Sequence, residues 1–422
     1  MANYELRIET SEMKKCLDML STVINKKNSL PIMADACIRF DRQRKLFTMT
    51  GSNTEQWLTI ECWHPDEKAQ NGERPWMFLD RDAKEQPLAA FCISVESFRE
   101  AFATLPAQPA NCYLKLDETG AGSIRVNYGK GEFTMPVDSA TDYPSIPAVV
   151  EKDGQPHEGI SPVVKFSMET AQLLPVILAA RVCSASDELR PVMNTVCVDA
   201  FHDHCVIVAS DGHSLYRRNL DTGMGWLRYG EFAADQSAKL LIPTQSMSPL
   251  AKAFTAADTL TLTADTQRIR FESGDGTVSL TTVTIDGHYP NYESVIPKDN
   301  QHRLLLDRQE LQATLRRISP FSNESSNMCI LSRRDEHVSL NASDADFGRQ
   351  ADEQVAIINT DTSLPDRFQI GFKISTMLQL LGCTTGDNIV LEIGDPSRAI
   401  LLKEESQLSG LTLLIMPMLV NG

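Results

Sequence analysis

The sequence predicts an α+β protein built from three tandem repeats of one unit, each with two helices and antiparallel strands. Three observations carry this. First, two connectors of one type, Tyr143-Pro144-Ser145-Ile146-Pro147 and Tyr289-Pro290-Asn291-Tyr292-Glu293-Ser294-Val295-Ile296-Pro297, each follow a strand-like segment and precede a fresh strand-then-helix pattern. Proline fixes φ and lacks a donor, so such runs are extended connectors rather than element interiors. Second, the same order of helices and strands recurs in each piece the connectors delimit. Third, a strand ends in a similar turn each time: Thr50-Gly51-Ser52-Asn53, Ala209-Ser210-Asp211 and Asn341-Ala342-Ser343-Asp344. Ser, Asn and Asp bend the chain there through side-chain to backbone hydrogen bonds. The expected domains are 1–148, 149–298 and 299–422, each of ordinary domain length.

In the first piece a strand over Tyr4–Ile8 leads to a helix from Ser11. Met13, Cys16, Leu17, Leu20, Val23 and Ile24 give it one apolar stripe. Strands follow at Ala34–Phe40 and Leu46–Thr50. The polar stretch His64–Pro87 reads as an insertion or long loop. Ser94 caps a second helix with Phe98, Phe102 and Leu105 on one face, stopped by Pro106. Strands at Tyr113–Leu116, Ser123–Tyr128 and Glu132–Val137 close the unit.

The second piece follows a linker over Lys152–Pro162. A strand at Val163–Phe166 precedes a helix around Ala171–Val182, with Pro175 expected near its first turn. Strands Thr195–Ala200 and Cys205–Ala209, a helix within Pro243–Phe254, and strands Leu260–Ala264, Arg268–Glu272 and Val278–Ile285 complete it. In the third piece Asp307 and Glu310 form a capping box before Leu311, Leu315 and Ile318. Strands Met328–Leu331 and Val338–Asn341, a helix over Ser375–Leu381 and strands ending in Leu411–Met418 follow.

The formal charge of −16 over 422 residues argues against a surface coated for nucleic acid, though it leaves room for a local basic lining. Ten cysteines show no CxxC pair and mostly sit in apolar runs, as buried reduced thiols do. No apolar run approaches the ~20 residues of a membrane span, and the first residues carry no signal-peptide pattern, so the cytoplasm is the expected compartment.

Reaction chemistry is not legible. No P-loop, HExxH, GxSxG or zinc spacing occurs, and no cofactor or metal is expected. His202 and His204 read as a turn between strands. Asp344 and Asp346 could pair on a metal, but they fall on the repeated turn with no further carboxylates nearby. His213 lacks a nucleophile at recognisable spacing.

The segments Leu189-Arg190-Pro191-Val192-Met193-Asn194, Ala209-Ser210-Asp211-Gly212-His213-Ser214-Leu215, Tyr289 to Pro297, Asn28-Ser29-Leu30-Pro31-Ile32 and the ending Ile415-Met416-Pro417-Met418 resemble the bacterial sliding clamp family, the β subunit of DNA polymerase III. The resemblance runs end to end. It implies the DNA clamp fold: a head-to-tail homodimer closing into a ring around double-stranded DNA, helices inside and sheets outside. Binding would be independent of sequence, through weak phosphate contact. It implies no catalysis.

Carried over by residue, DNA contacts would come from Lys27, Arg316 and Arg317. Positions that are basic in familiar clamps read here as Glu96 and Ala103, and the loop aromatics as Pro191 and Val192. A pocket for short peptide tails of the polymerase, the clamp loader and repair proteins would use Arg190, Met193, Ser210, Gly212, His213, Leu215, Pro290, Val295, Leu414, Met416, Pro417 and Met418. Methionine-rich walls adapt to related apolar anchors. Leu419 and Ser214 stand where the family has basic residues, which implies a different motif preference. Ring closure would pair Phe133 and Met135 with Phe321 of a second copy. Two further readings compete: a clamp-fold adaptor dedicated to a plasmid, phage or repair system, and a nuclease using Asp344 and Asp346.

Overall fold

The computed structural model describes residues 2–24, 30–41, 46–62, 77–79, 90–145, 151–152, 155–156, 164–187, 189–201, 204–221, 237–358, 364–365, 368–405 and 410–420. The chain forms two compact units. One holds residues 1–174, 225–231 and 245–284, and the other holds residues 175–224, 232–244 and 285–422. Six α-helices are described: α1 (Thr10–Leu20), α2 (Val95–Ala103), α3 (Thr170–Ala180), α4 (Met247–Phe254), α5 (Arg308–Ile318) and α6 (Ile374–Leu381).

The first unit is organised by a 13-stranded sheet in which every pairing is antiparallel. Its strands come from two of the sequence repeats. Val278–Val283, from the second, pairs with Gln56–Glu61, from the first, with Leu280 opposite Leu58. α1 packs against α2 and α4. The stripe read from the sequence is the packed one: Met13, Cys16, Leu17, Leu20 and Val23 are all buried. Ser94 caps α2 by accepting from the Ser97 amide. Strand Gly131–Ser139 pairs along its length with Gly122–Tyr128. On its other side it pairs only at Asp138 and Ser139, so 131–137 forms a sheet edge among the described residues.

The second unit repeats the plan. An 8-stranded antiparallel sheet joins Ser214–Asp221 to Leu411–Ile415, placing Leu215 opposite Leu414. A 4-stranded sheet carries Arg349–Ala356 on one edge. α5 packs against α6 and starts as the capping box requires, Asp307 accepting from the Glu310 amide at 2.7 Å.

Two details depart from the sequence reading. Pro175 lies in the interior of α3, past its first turn. Such a position removes one backbone bond, and the mostly apolar helix packs tightly enough to bear it. Strand Ser214–Asp221 was not foreseen, because Tyr216-Arg217-Arg218-Asn219 lacks apolar alternation. Its partners on both sides impose the extended form. All ten cysteines are free, nine of them buried. The stretches around His64–Pro87 and Gly154–Pro162 fall mostly outside the described residues.

Candidate functional site

The repeated turn supplies the second unit with a rigid corner. In Ser210-Asp211-Gly212-His213-Ser214, Asp211 Oδ1 accepts from the amides of His213 at 2.8 Å and Ser214 at 2.6 Å. Ser210 Oγ accepts from the Gly212 amide and donates to the Ser214 carbonyl. Gly212 takes φ +88, a left-handed value that suits glycine. A Cβ there would also come within 3.4 Å of Arg190 Nη1. Arg190 donates to the Asp211 carbonyl at 3.2 Å and pairs with Asp187 at 3.5 Å.

From this corner the chain enters strand Ser214–Asp221, which buries Leu215 beside Leu414 of the neighbouring strand. Past that strand's end the Met416 amide donates to the His213 carbonyl at 2.7 Å. Met416 is left 38% exposed. The connector then forms the facing wall. Its 3-10 turn Tyr292–Val295 buries Tyr292 and turns out Val295, 53% exposed.

Between these walls lies a pocket of about 920 Å³. Arg190, Met193, Ser210, Gly212, Leu215, Pro290, Val295, Leu414 and Met416 all line it. Three other expected residues stand next to it without lining it. His213 is exposed and contributes its carbonyl. Pro417 follows Met416, and Met418 bonds to the backbone of Gly371. The rest of stretch 289–299 and the turn Ser397–Ala399 also line the pocket. Pro290 and Val295 of the connector were expected in the pocket, but the rest of the connector was not. The Ser397–Ala399 turn gave no signal, since only the fold carries it there.

The charges at the mouth are mostly matched. Arg217 meets Glu293 at 2.8 Å and Arg398 meets Asp299 at 2.6 Å. The Arg398 guanidinium holds the Asp299 carboxyl below the usual carboxylate range. The floor is apolar, with the buried cluster of Leu215, Tyr289, Tyr292, Leu401 and Leu414 behind it. Such a cavity can seat two or three apolar side chains of an extended peptide, and its adaptable Met193 and Met416 would tolerate variation.

The other expected residues are scattered. Arg316 and Arg317 are exposed on α5, and Arg317 forms a two-pronged pair with Glu353. Arg316 has no ion-pair partner among the described residues. Lys27 lies outside the described residues. Phe133 and Met135, both half-buried, lie on the sheet edge at 131–137, where Phe133 meets Phe102 edge-on at 5.8 Å. Phe321 ends the 3-10 turn after α5 and is 41% exposed. A second, smaller groove of about 470 Å³ lies between α1 and α2 in the first unit, lined by both signs of charge, including Asp18, Glu96 and Arg99.

No cluster of metal-ligating side chains occurs among the described residues. Asp344 is buried, and its Oδ1 accepts from the Asp346 amide, which makes this pair a turn. No helix among the described residues is long and apolar enough to cross a membrane.

Comparison with known proteins agrees with this anatomy. The family model for the DNA polymerase III beta subunit, central domain, matches residues 167–291, and that for its C-terminal domain matches residues 293–419. The Beta sliding clamp of Caulobacter vibrioides (strain NA1000 / CB15N) is 24% identical over 422 residues, 99% of this chain and 100% of that protein. That of Pseudomonas putida is 21% identical over 398 residues, 94% of this chain and 95% of that one. Among solved structures, the sliding clamp from Bacillus subtilis has a TM-score of 0.82 at 18% identity, covering 100% of both chains. The DNA polymerase III subunit beta from Pseudomonas aeruginosa has a TM-score of 0.80 at 20% identity, covering 99% and 100%. Fold and pocket together define a clamp of the polymerase-processivity class, whose members are non-catalytic. The chain belongs to the DNA polymerase III beta subunit family, the bacterial sliding clamps.

Proposed function

We propose that two copies of this chain close head to tail into a ring around duplex DNA and hold the polymerase and other partners to it through short peptides. The observation that carries the docking half is the single pocket lined by Arg190, Leu215, Val295, Leu414, Met416 and their neighbours. Apolar anchors of a partner tail fill it, and the matched charges at its mouth leave the binding mainly hydrophobic. Affinity is then on the order of micromolar, weak enough for partners to exchange.

Two sheet edges support ring closure. Among the described residues, strand 131–137 is unpaired on one side and bears Phe133 and Met135, while Arg349–Ala356 edges the four-stranded sheet. Phe321 supplies an apolar contact for the neighbouring copy. The separate matches of the central-domain model to 167–291 and the C-terminal model to 293–419 support a change of domain near the proposed 298/299 boundary in the division into 1–148, 149–298 and 299–422.

DNA passes through without being read. Arg316, on α5 and without an ion-pair partner among the described residues, is the favoured phosphate contact, with Arg317 held partly by Glu353 and Lys27 as the third. A net charge of −16 then serves the outer surface, where it discourages DNA from binding. The compartment is the cytoplasm. Full-length likeness to beta sliding clamps does not favour the dedicated-adaptor reading.

The test is topological. Protein loaded on nicked circular DNA should stay bound through gel filtration and fall off once the circle is cut. Retention on the linear form would refute encirclement.

A further inference from the structure

Behind the connector wall sits a charged group that docking by apolar contact does not require. Asp199 lies in strand Thr195–Ala200, flanked by His204–Ser210 and Ala238–Pro243, and is 1% exposed. A carboxylate so placed is unfavourable unless paired and hydrogen-bonded. Sheet register sets Lys239 directly opposite, and its Nζ donates to Asp199 Oδ2. The same oxygen accepts from Tyr292 Oη at 2.8 Å. The Lys239 ammonium also stands 5.2 Å from the centre of the Tyr292 ring.

Tyr292 opens the 3-10 turn that carries Val295. One buried phenol therefore ties the pocket wall to strand Thr195–Ala200, through a carboxylate whose countercharge comes from the neighbouring edge strand.

We propose that Asp199 is a positioning residue for partner docking: through Tyr292 it fixes the connector so that the pocket is already open to a peptide before one arrives. This rests on the pocket being the peptide site. Preorganisation of this kind removes an ordering cost from binding, so its loss appears as weaker affinity although no contact to the peptide is deleted. Lys239 supports the link by neutralising the carboxylate.

The experiment compares the full-length protein with Asp199→Asn, Tyr292→Phe and the double variant. Tyr292→Phe keeps the ring in place and deletes only the hydroxyl, so it remains informative if Asp199→Asn folds poorly. Affinity is read by fluorescence polarisation with a labelled hexapeptide carrying two leucines and a phenylalanine. Amide hydrogen exchange is read on the free protein. Each single variant should weaken the hexapeptide about tenfold, as expected for a buried hydrogen bond to a charged group. The double variant should lose no more than the weaker-binding single, since both break one link. Exchange should quicken across 289–299 while Thr195–Ala200 and His204–Ser210 stay protected.

Losses that multiply in the double variant, or connector amides that exchange as in the parent, would overturn the proposal. If the parent protein itself ignores the hexapeptide, the docking reading fails. The exchange result then still decides whether Asp199 holds the connector.

Discussion

The two Tyr-Pro connectors begin alike and end in different uses. In the first unit Tyr143 is buried, and its hydroxyl donates to the carbonyls of Thr50 at 3.0 Å and Asp35 at 3.3 Å, closing the connector onto the sheet. In the second unit the matching Tyr289 is buried as well, a second tyrosine one turn later, Tyr292, ties the connector to Asp199, and the segment around it forms a pocket wall. The turns beside them differ in the same sense. Ser52 Oγ accepts from the Thr54 amide just as Ser210 Oγ accepts from Gly212. The first unit puts a β-branched residue at φ 75, where the second has glycine at φ 88 and an arginine packed over it. A repeated frame thus keeps its hydrogen-bond scheme and changes what lies next to it. The pocket lies where a second tyrosine tie is added and the corner is stripped of side chain.

The comparison breaks most sharply at Met416. Met416→Arg puts an unpaired charge over the pocket floor at a residue already 38% exposed. Hexapeptide affinity should fall by about a hundredfold, ~2.7 kcal/mol, with the thermal midpoint nearly unchanged. Tyr143→Phe makes the converse case. Two buried carbonyls lose their donor, so unfolding free energy should drop by about 2 kcal/mol in denaturant titration while peptide affinity holds.

Asp35, at the same closure, adds a pH dependence. Burial, with the Asp138 carboxylate adding to it, pushes the Asp35 carboxyl up from 3.8 to about 6. The folded state then holds a proton the unfolded chain has lost, so stability falls as pH rises from about 4 to about 6. Asp35→Asn should flatten that slope and stabilise the protein at pH 7 by roughly 1–2 kcal/mol. Thr54→Gly is the mildest change. Relief of the left-handed strain, less the added chain entropy, should raise stability by at most about 1 kcal/mol, read from the thermal midpoint.

Local chemistry was legible from the residues. Ser94 and Asp307 cap the helices they were expected to cap. Buried and half-buried residues alternate along Thr259–Ala264 and Arg268–Ser273 as period-two strands should. All twelve expected pocket residues came from motif resemblance, and the geometry gathers nine of them in one cavity. What stayed hidden was pairing. Nothing in Val278–Val283 names Gln56–Glu61 as its neighbour, and nothing in Ser214–Asp221 names Leu411–Ile415.

The sequence by itself determined the helices, most strands and the repeated corner, because caps, turns and apolar periodicity act over a few residues. Tertiary structure alone decided which strands join across repeats, where the turn Ser397–Ala399 arrives, and that Asp199 is buried against Tyr292 and Lys239. Those outcomes depend on which apolar faces bury each other over separations of about 90 to 220 residues, and a strand's own residues carry its pattern but not the identity of its partner.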